Sequence, residues 1–276
     1  MRGVGVKSDK SLWFFGAIAP AVALGGVLVP VDAKAQMLPH RAEYALRLGT
    51  AANAPRIGSA VQDIVLDCSG WQIKREIVSE IAFTPSLKIN VASKLEGEEG
   101  RYGTTFRYHA RQSQNGVVRE LRGEVDRTDG ETRVEILSGD ATEKTLLPAA
   151  TLLPVSAVNQ LIGSLQSGAG TFPALLFAAE AGNEAFAIDI KELPPDSLTP
   201  PPPAMKPVAV PSARFWPVEM TFKRAGQPEA KPVAAVRAKV FSSGVLDRLT
   251  VDAGMFTVTA DLQDLKMHEA PSCPGK

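Results

Sequence analysis

Hydrophobic and polar residues alternate with a period of two along most of the chain. Trp71, Ile73, Ile77 and Ile81 are apolar, and the positions between them are mostly polar or charged. Such alternation is typical of a strand with one buried and one exposed face. It predicts a series of strands, which recurs at Ser86–Glu96, Thr104–Gln112, Val117–Arg127 and Thr132–Leu137.

Turn sequences separate these strands. Asn115-Gly116 and Asp129-Gly130 are typical of tight hairpins, because these residue types tolerate a positive φ. Gly97-Glu98-Glu99-Gly100 is predicted to be a third turn, with its two carboxylates at the tip of a hairpin. Strands joined by short turns pair antiparallel, so the sequence predicts a meander rather than a parallel α/β sheet.

One segment has helical periodicity. Leu152–Gly168 has apolar residues spaced along one face, a proline near its start and a glycine at its end, as a helix requires. This apolar stripe is expected to lie against the concave face of a curved sheet. Phe172–Gly182 fits either a second helix or a strand, and Ala185–Leu193 is predicted to be a strand.

A proline-rich segment follows, with eight prolines in the nineteen residues of Leu193–Pro211. Proline cannot donate to a sheet, so this segment is predicted to be an extended connection. A solvent-exposed linker or long loop is favoured over a docking motif. Alternating strands then resume in four stretches: Phe215–Lys223, Val233–Phe241, Leu246–Asp252 and Met255–Met267.

The first 35 residues have the pattern of a cleaved signal peptide. Arg2 and Lys7 precede the apolar run Leu12–Val31, and Ala33-Lys34-Ala35 has the form of a cleavage site. The alternative is a retained membrane anchor, since about 20 apolar residues could just span a bilayer. Export to the periplasm is predicted, with residues 36–276 forming a single domain that is not integral to the membrane.

The chain has two cysteines, Cys68 and Cys273. In an oxidising compartment they are expected to form a structural disulfide. Their separation is unlike the Cys-x-x-Cys of redox enzymes. Two cysteines with three scattered histidines also provide no zinc ligand cluster, so no metal is predicted.

Recognisable catalytic signatures are missing from the sequence. It contains no Gly-x-Ser-x-Gly elbow, no His-Glu-x-x-His motif and no glycine-rich phosphate loop, so neither hydrolysis nor nucleotide binding is supported. Residues 36–276 carry 26 basic and 28 acidic residues, whereas nucleic-acid binding normally requires a basic surface. His40, His109 and His268 are predicted to be surface or edge residues. We expect no cofactor and no enzyme activity.

The sequence resembles the EipB family of periplasmic cell-envelope-integrity proteins. The resemblance covers residues 38–273 and is carried by "LPHRAEYALRL", "CSGW", "NGVVRELRGEVDR", "FWPVEMTF" and "GVLDRLTVDAGMFTVTADLQDLKMHEAPSC". It implies a long antiparallel sheet coiled into an open, barrel-like spiral, closed by one disulfide between Cys68 and Cys273. It also implies a role in envelope integrity without established catalysis. Ser69 departs from the family's usual aspartate, and "LLPVSAV" lacks the histidine that the family has before its helix.

Three functions follow from these observations. The first is a non-catalytic envelope protein that holds an apolar or lipid-like ligand inside its curved sheet. Its candidate lining residues are Trp71, Phe106, Val117, Leu121, Leu161, Ile162 and Leu165, although Trp71 and the helix could instead be core. The second is a protein–protein module that recruits an unknown envelope protein through exposed sheet edges. The third is an envelope hydrolase with an unfamiliar site.

Overall fold

The computed structural model describes residues 36–84, 86–182, 184–211, 214–227 and 229–273, apart from the side chain of Phe83. The predicted signal peptide, residues 1–35, lies outside the described residues. Among those residues, none of the helical segments combines the length and hydrophobicity that a membrane span requires.

In the described residues, fourteen strands form one continuous antiparallel sheet, in the order β8-β7-β6-β5-β4-β3-β2-β1-β14-β13-β12-β11-β10-β9. Consecutive strands pair throughout, except that β8 and β9 lie at opposite ends of the sheet and β1 pairs with β14. The strands are β1 (His40–Leu48), β2 (Arg56–Leu66), β3 (Gly70–Thr84), β4 (Leu87–Gly100), β5 (Thr105–Gln114), β6 (Val117–Arg127), β7 (Thr132–Ser138), β8 (Ala141–Leu147), β9 (Thr171–Phe177), β10 (Ala185–Glu192), β11 (Phe215–Arg224), β12 (Ala234–Phe241), β13 (Leu246–Asp252) and β14 (Thr257–Met267).

The alternation of apolar and polar residues located most of these strands. It predicted β6 and β13 with their observed bounds. The ambiguous segment Phe172–Gly182 contains β9 followed by a 3-10 turn at Ala179–Ala181. Strand β8 was not predicted, because its residues are mostly exposed and therefore show no alternation.

The predicted turn at Gly97-Glu98-Glu99-Gly100 is wrong. β4 continues to Gly100, and the chain turns at residues 101–104. A glycine is needed at position 97 for another reason: a Cβ there would lie 2.7 Å from the ring of Phe106. Similarly, a Cβ on Gly123 would lie 2.3 Å from the ring of Tyr108. Both glycines leave room for aromatic rings of the neighbouring strand β5 to lie against the inner face.

The predicted helix is present as α1 (Pro154–Gln166) and lies inside the curled sheet. One side of α1, including Leu161 and Leu165, packs in a core cluster with strands β9–β13. The other side, including Val158 and Ile162, packs in a second cluster with β2–β7. These strands belong to opposite halves of one sheet, so the sheet must curve around the helix. The predicted fold class, a mainly β open spiral with a packed helix, is confirmed.

Two links join the N-terminal strands to the C-terminal part of the chain. Strands β1 and β14 pair, and across them Arg47 Nη2 donates to Asp261 Oδ1 at 3.0 Å in a buried ion pair. A disulfide joins Cys68, in the turn between β2 and β3, to Cys273 beyond β14. The cysteine pairing expected from the sequence is therefore present in the structure.

The proline-rich segment is a loop without helix or strand, and most of its residues are exposed. It is nevertheless held against the sheet. Leu198 is buried, and the hydroxyl oxygens of Thr199 and Thr250 are 2.8 Å apart. Val208 and Val210 also pack against a core cluster. The segment is therefore a docked loop and not a free linker.

Candidate ligand site in the sheet interior

Most of the predicted lining residues form tightly packed core. Six of the seven are buried, in clusters on the two sides of α1. The six are Trp71, Phe106, Leu121, Leu161, Ile162 and Leu165. Their packing shows that the helix fills this part of the interior. Their role in lining a ligand site stays a prediction. The cavities found in the interior are lined by other residues.

The prediction for Val117 is wrong. Val117 faces the same side of β6 as the buried Leu121 and Val125, but it is 66% exposed. It is the first residue of β6, directly after the turn at Asn115-Gly116. Strand alternation identifies the face of a side chain, but it does not show how far along the strand that face is covered.

A buried carboxylate positions the helix. Glu99 is 2% exposed, and its carboxylate oxygens accept hydrogen bonds from the main-chain N–H groups of Val155 (2.6 Å) and Ser156 (2.8 Å). These two N–H groups belong to the first turn of α1, where no intrahelical acceptor exists. The Ser156 hydroxyl also donates to Glu99 at 2.5 Å. Burial raises the pKa of Glu99 to about 7, against the opposing effect of these hydrogen bonds.

An ion pair crosses the interior beside the helix. Arg75, on β3, donates through Nη2 to the carboxylate of Glu180 in the 3-10 turn after β9. Their side chains are 10% and 1% exposed. Burial raises the pKa of Glu180, and the positive charge of Arg75 opposes this shift. The pair connects β3 with the segment that follows β9, from opposite halves of the sheet.

Two small cavities flank Arg75. The larger, of about 90 Å³, has mainly apolar walls from β1, β2, β3, β13 and β14, including Tyr44, Ile77 and Val258. The smaller, of about 30 Å³, lies between β2–β4 and the start of α1. Gln62, Arg75 and Leu246 line both cavities. Around the larger cavity, Ala60 and Ile77 are only half-buried, so this cavity lies close to solvent.

Polar atoms without partners lie in this region. Among the described residues, Arg75 Nε and the Tyr108 hydroxyl have no hydrogen-bond partner although both are buried. Burial raises the pKa of Tyr108, with a further contribution from the charge of Glu180, so the phenol keeps its proton. Most buried polar groups in proteins are hydrogen-bonded. Arg75 Nε is therefore a buried donor without an acceptor, on a side chain that lines both cavities.

A wider groove of about 680 Å³ crosses the opposite face of β3–β8. Its walls carry both signs of charge, including Lys74, Glu98, Arg107 and Glu124. Arg107 and Glu124 already form an exposed ion pair. Exposed pairs of this kind contribute little binding energy, so the interior is the better candidate site.

The histidines form no recognisable catalytic group. His109 is exposed and bonds to Glu120 at 2.7 Å, as expected for a surface residue. His268 bonds to Asp63 at 2.7 Å. The surface prediction for His40 is wrong: it is fully buried, its Nδ1 lies 2.7 Å from the Leu38 carbonyl, and burial lowers its pKa. Within the described ranges, no three His, Cys, Asp or Glu side chains are grouped to hold a metal ion.

Comparison with known proteins places these features in a family context. A family model described as EipB-like matches residues 31–269. The cell envelope integrity protein EipB of Brucella abortus (strain 2308) is 24% identical over 247 residues, which cover 85% of each protein. A crystal structure described as a β-barrel-like protein of domain of unknown function DUF1849, from Brucella abortus, has a TM-score of 0.68 and 21% identity. It covers 85% of this chain and 99% of that one.

Proposed function

The chain belongs to the EipB-like family, whose model matches residues 31–269, and we propose from this that it supports cell-envelope integrity from the periplasm without catalysis. The relative in Brucella abortus is named for envelope integrity and not for an enzyme activity. The periplasmic location rests on the signal-peptide pattern of residues 1–35 together with the paired cysteines.

The proposed mode of action is the binding of an apolar or lipid-like molecule inside the curled sheet. The observation that supports it is the buried Arg75 between two cavities, with Nε lacking a partner among the described residues. Binding sites commonly combine apolar walls with a few polar groups that orient the ligand. The cavity of about 90 Å³ is smaller than the roughly 300–1,000 Å³ of typical small-molecule sites. The ligand would therefore insert one part into the cavity and leave the rest along its mouth.

Native mass spectrometry of the mature protein from periplasmic extract tests this proposal. A reproducible extra mass that organic solvent removes, and that matches a lipid in the extract, is the expected result. In the control variant Ala60→Phe, the new side chain fills the larger cavity. This variant should lack the extra mass. Purified protein whose mass equals that of the bare chain in every preparation would contradict ligand carriage.

We also propose that residues 36–276 form a single domain. Trp71 lies in the cluster of β2–β7, and Trp216 lies in the cluster of β9–β13. The mature variants Trp71→Phe and Trp216→Phe each retain one tryptophan that reports on one half of the sheet. Coincident urea transitions of the two fluorescence signals are expected, whereas separate transitions would indicate two units.

Strand β8 supports a second function, recruitment of a protein partner. β8 lies at one end of the sheet and pairs with β7 alone among the described strands. Leu146 on this strand is 63% exposed. An exposed edge strand can pair with a strand of another chain. Crosslinking from a photoreactive residue at position 144 should then capture one dominant protein, and the added change Leu146→Lys should abolish that product.

A further inference from the structure

We infer that Arg75 holds the oxygen of an uncharged ligand group, such as the carbonyl of an acyl ester or amide, and does not hold a free carboxylate. This inference rests on the proposed interior ligand and specifies its chemical class. It depends on three features of the site: the available donor, the charge balance around it and the shape of the space beside it.

The donor is the Nε–H group of Arg75. Glu180 accepts from Nη2, and Nε, on the same edge of the guanidinium, has no partner among the described residues. Arg75 lines both cavities. A buried donor left without an acceptor costs free energy, and a ligand oxygen would recover it. The guanidinium is planar and remains charged at all ordinary pH values, so this donor is fixed in direction and always protonated.

The charge balance excludes an anion. Arg75 is the only cation among the described residues that line either cavity, and Glu180 is the only anion. The two already form a buried pair of zero net charge. A ligand carboxylate would add a second negative charge beside Glu180, and burying an uncompensated charge is strongly unfavourable. A carbonyl or hydroxyl oxygen accepts the same hydrogen bond without that penalty.

The space beside Arg75 suits an apolar chain. Tyr44, Ile77 and Val258 contribute to the walls of the larger cavity. The Tyr44 hydroxyl already donates to the Leu246 carbonyl at 3.1 Å, so it offers no further donor to a ligand. A carbonyl at Arg75 would therefore be followed by carbon atoms in this mainly apolar cavity, whose walls include the half-buried Ala60 and Ile77.

Two probes with the same chain test the inference: monolauroylglycerol, an uncharged ester, and laurate, a carboxylate. Their affinities for the mature protein are measured at pH 8 by isothermal titration calorimetry, below the micelle concentration of each probe. The wild-type protein should bind the ester at least about tenfold more tightly, because laurate would bury a second, uncompensated negative charge beside Glu180. Arg75→Lys keeps a cation for Glu180 but removes the Nε–H group, so it should bind the ester about tenfold more weakly, the effect of one hydrogen bond to a charged group.

Glu180→Gln provides the opposite test. It removes the negative charge and leaves Arg75 unbalanced, so the preference should shift towards laurate. The controls are Arg237→Lys and Glu219→Gln, which alter an exposed pair on β12 and β11. Neither control should change the ratio of affinities. If Glu180→Gln unfolds the protein, the ¹⁵N resonance of Arg75 Nε in the wild type replaces it, and this resonance should shift with the ester.

The outcomes separate this inference from the proposed function. Equal affinities for both probes, or a wild-type preference for laurate, would overturn the role of Arg75 while an interior ligand site remained. The role of Arg75 would also be overturned if bound ester left the Arg75 Nε resonance unchanged. Failure of both probes to bind, together with a bare-chain mass from periplasmic preparations, would overturn both proposals.

Discussion

Cys68 and Cys273 lie 205 residues apart in the sequence, and the disulfide between them holds their Cα atoms 5.6 Å apart. Cys68 follows β2, and Cys273 lies in the tail after β14. The guanidinium of Arg101, in the turn after β4, is 3.7 Å from Cys273 Sγ. The bond therefore fixes the C-terminal tail beside the β2–β3 and β4–β5 turns.

Cys68→Ser should lower the melting temperature by the same amount as Cys273→Ser and as the double variant. Each change removes the same bond, so the effects do not add. For a loop of this length the chain-entropy model gives about 5 kcal/mol as an upper value. Thermal unfolding of the three variants and the wild type under non-reducing conditions measures this. Additive losses in the double variant would show that the two sulfurs are not joined.

Glu99→Ala should destabilise the protein by about 2 to 4 kcal/mol. The change leaves two N–H groups of the first turn of α1 without their acceptor, and a buried unsatisfied group costs about 1–3 kcal/mol. Urea unfolding measures the loss. Glu98→Ala is the matched control, because Glu98 is the adjacent residue on the exposed face of β4. A control as destabilised as Glu99→Ala would contradict the capping role.

The stability of the wild-type protein should fall relative to Glu99→Gln as the pH rises from 5 to 8. Burial raises the folded-state pKa of Glu99 from 4.5 to about 7. The stability from a raised carboxyl pKa is fully present below pH 4.5 and is lost as pH rises through 7. The expected relative loss is about 3 kcal/mol at most. The comparison with Glu99→Gln is needed because buried His40 has the opposite effect. Its pKa is lowered in the folded protein, so its contribution to stability is lost as pH falls through 6.5.

Urea unfolding of both proteins at pH 5, 6, 7 and 8 checks this prediction. The difference in the free energy of unfolding should change mainly between pH 5 and 7. A constant difference across the range would show that Glu99 has the same protonation state in the folded and unfolded chains.

Gly123→Ala should cost about 1 to 3 kcal/mol, the usual range for overpacking a core. The new Cβ would lie 2.3 Å from the ring of Tyr108, which is buried against Phe106 and Phe177. Gly130→Ala is the control, because no atom lies within 4 Å of a Cβ there. Denaturant unfolding of the two variants should show a loss for position 123 alone.

The strands could be predicted from the sequence because each depends on a local pattern. The alternation of apolar and polar residues and the Asn115-Gly116 turn needed no knowledge of distant parts of the chain. The same reliance on local pattern produced the wrong prediction of a turn at Gly97–Gly100. Glycine is common in turns, but the need for Gly97 comes from the ring of Phe106 on the neighbouring strand.

The candidate site was much harder to predict, because Arg75 and Glu180 are separated by 105 residues. One signal was available. In the alternation of β3, Arg75 occupies the same phase as Trp71, Ile73 and Ile77. A charged residue on the buried face of a strand requires a partner or a ligand. The sequence alone could not show that Glu180 lies opposite it, since this depends on how tightly the sheet curls.

Envelope support is proposed to depend on the space inside the curled sheet. The most direct test is survival in deoxycholate of cells that lack the protein and carry either Ala60→Phe or Val117→Phe. Ala60 borders the larger cavity, whereas Val117 is exposed. With both variants present at the wild-type level, we expect Val117→Phe to restore survival and Ala60→Phe not to restore it. Full rescue by a folded Ala60→Phe protein would contradict it.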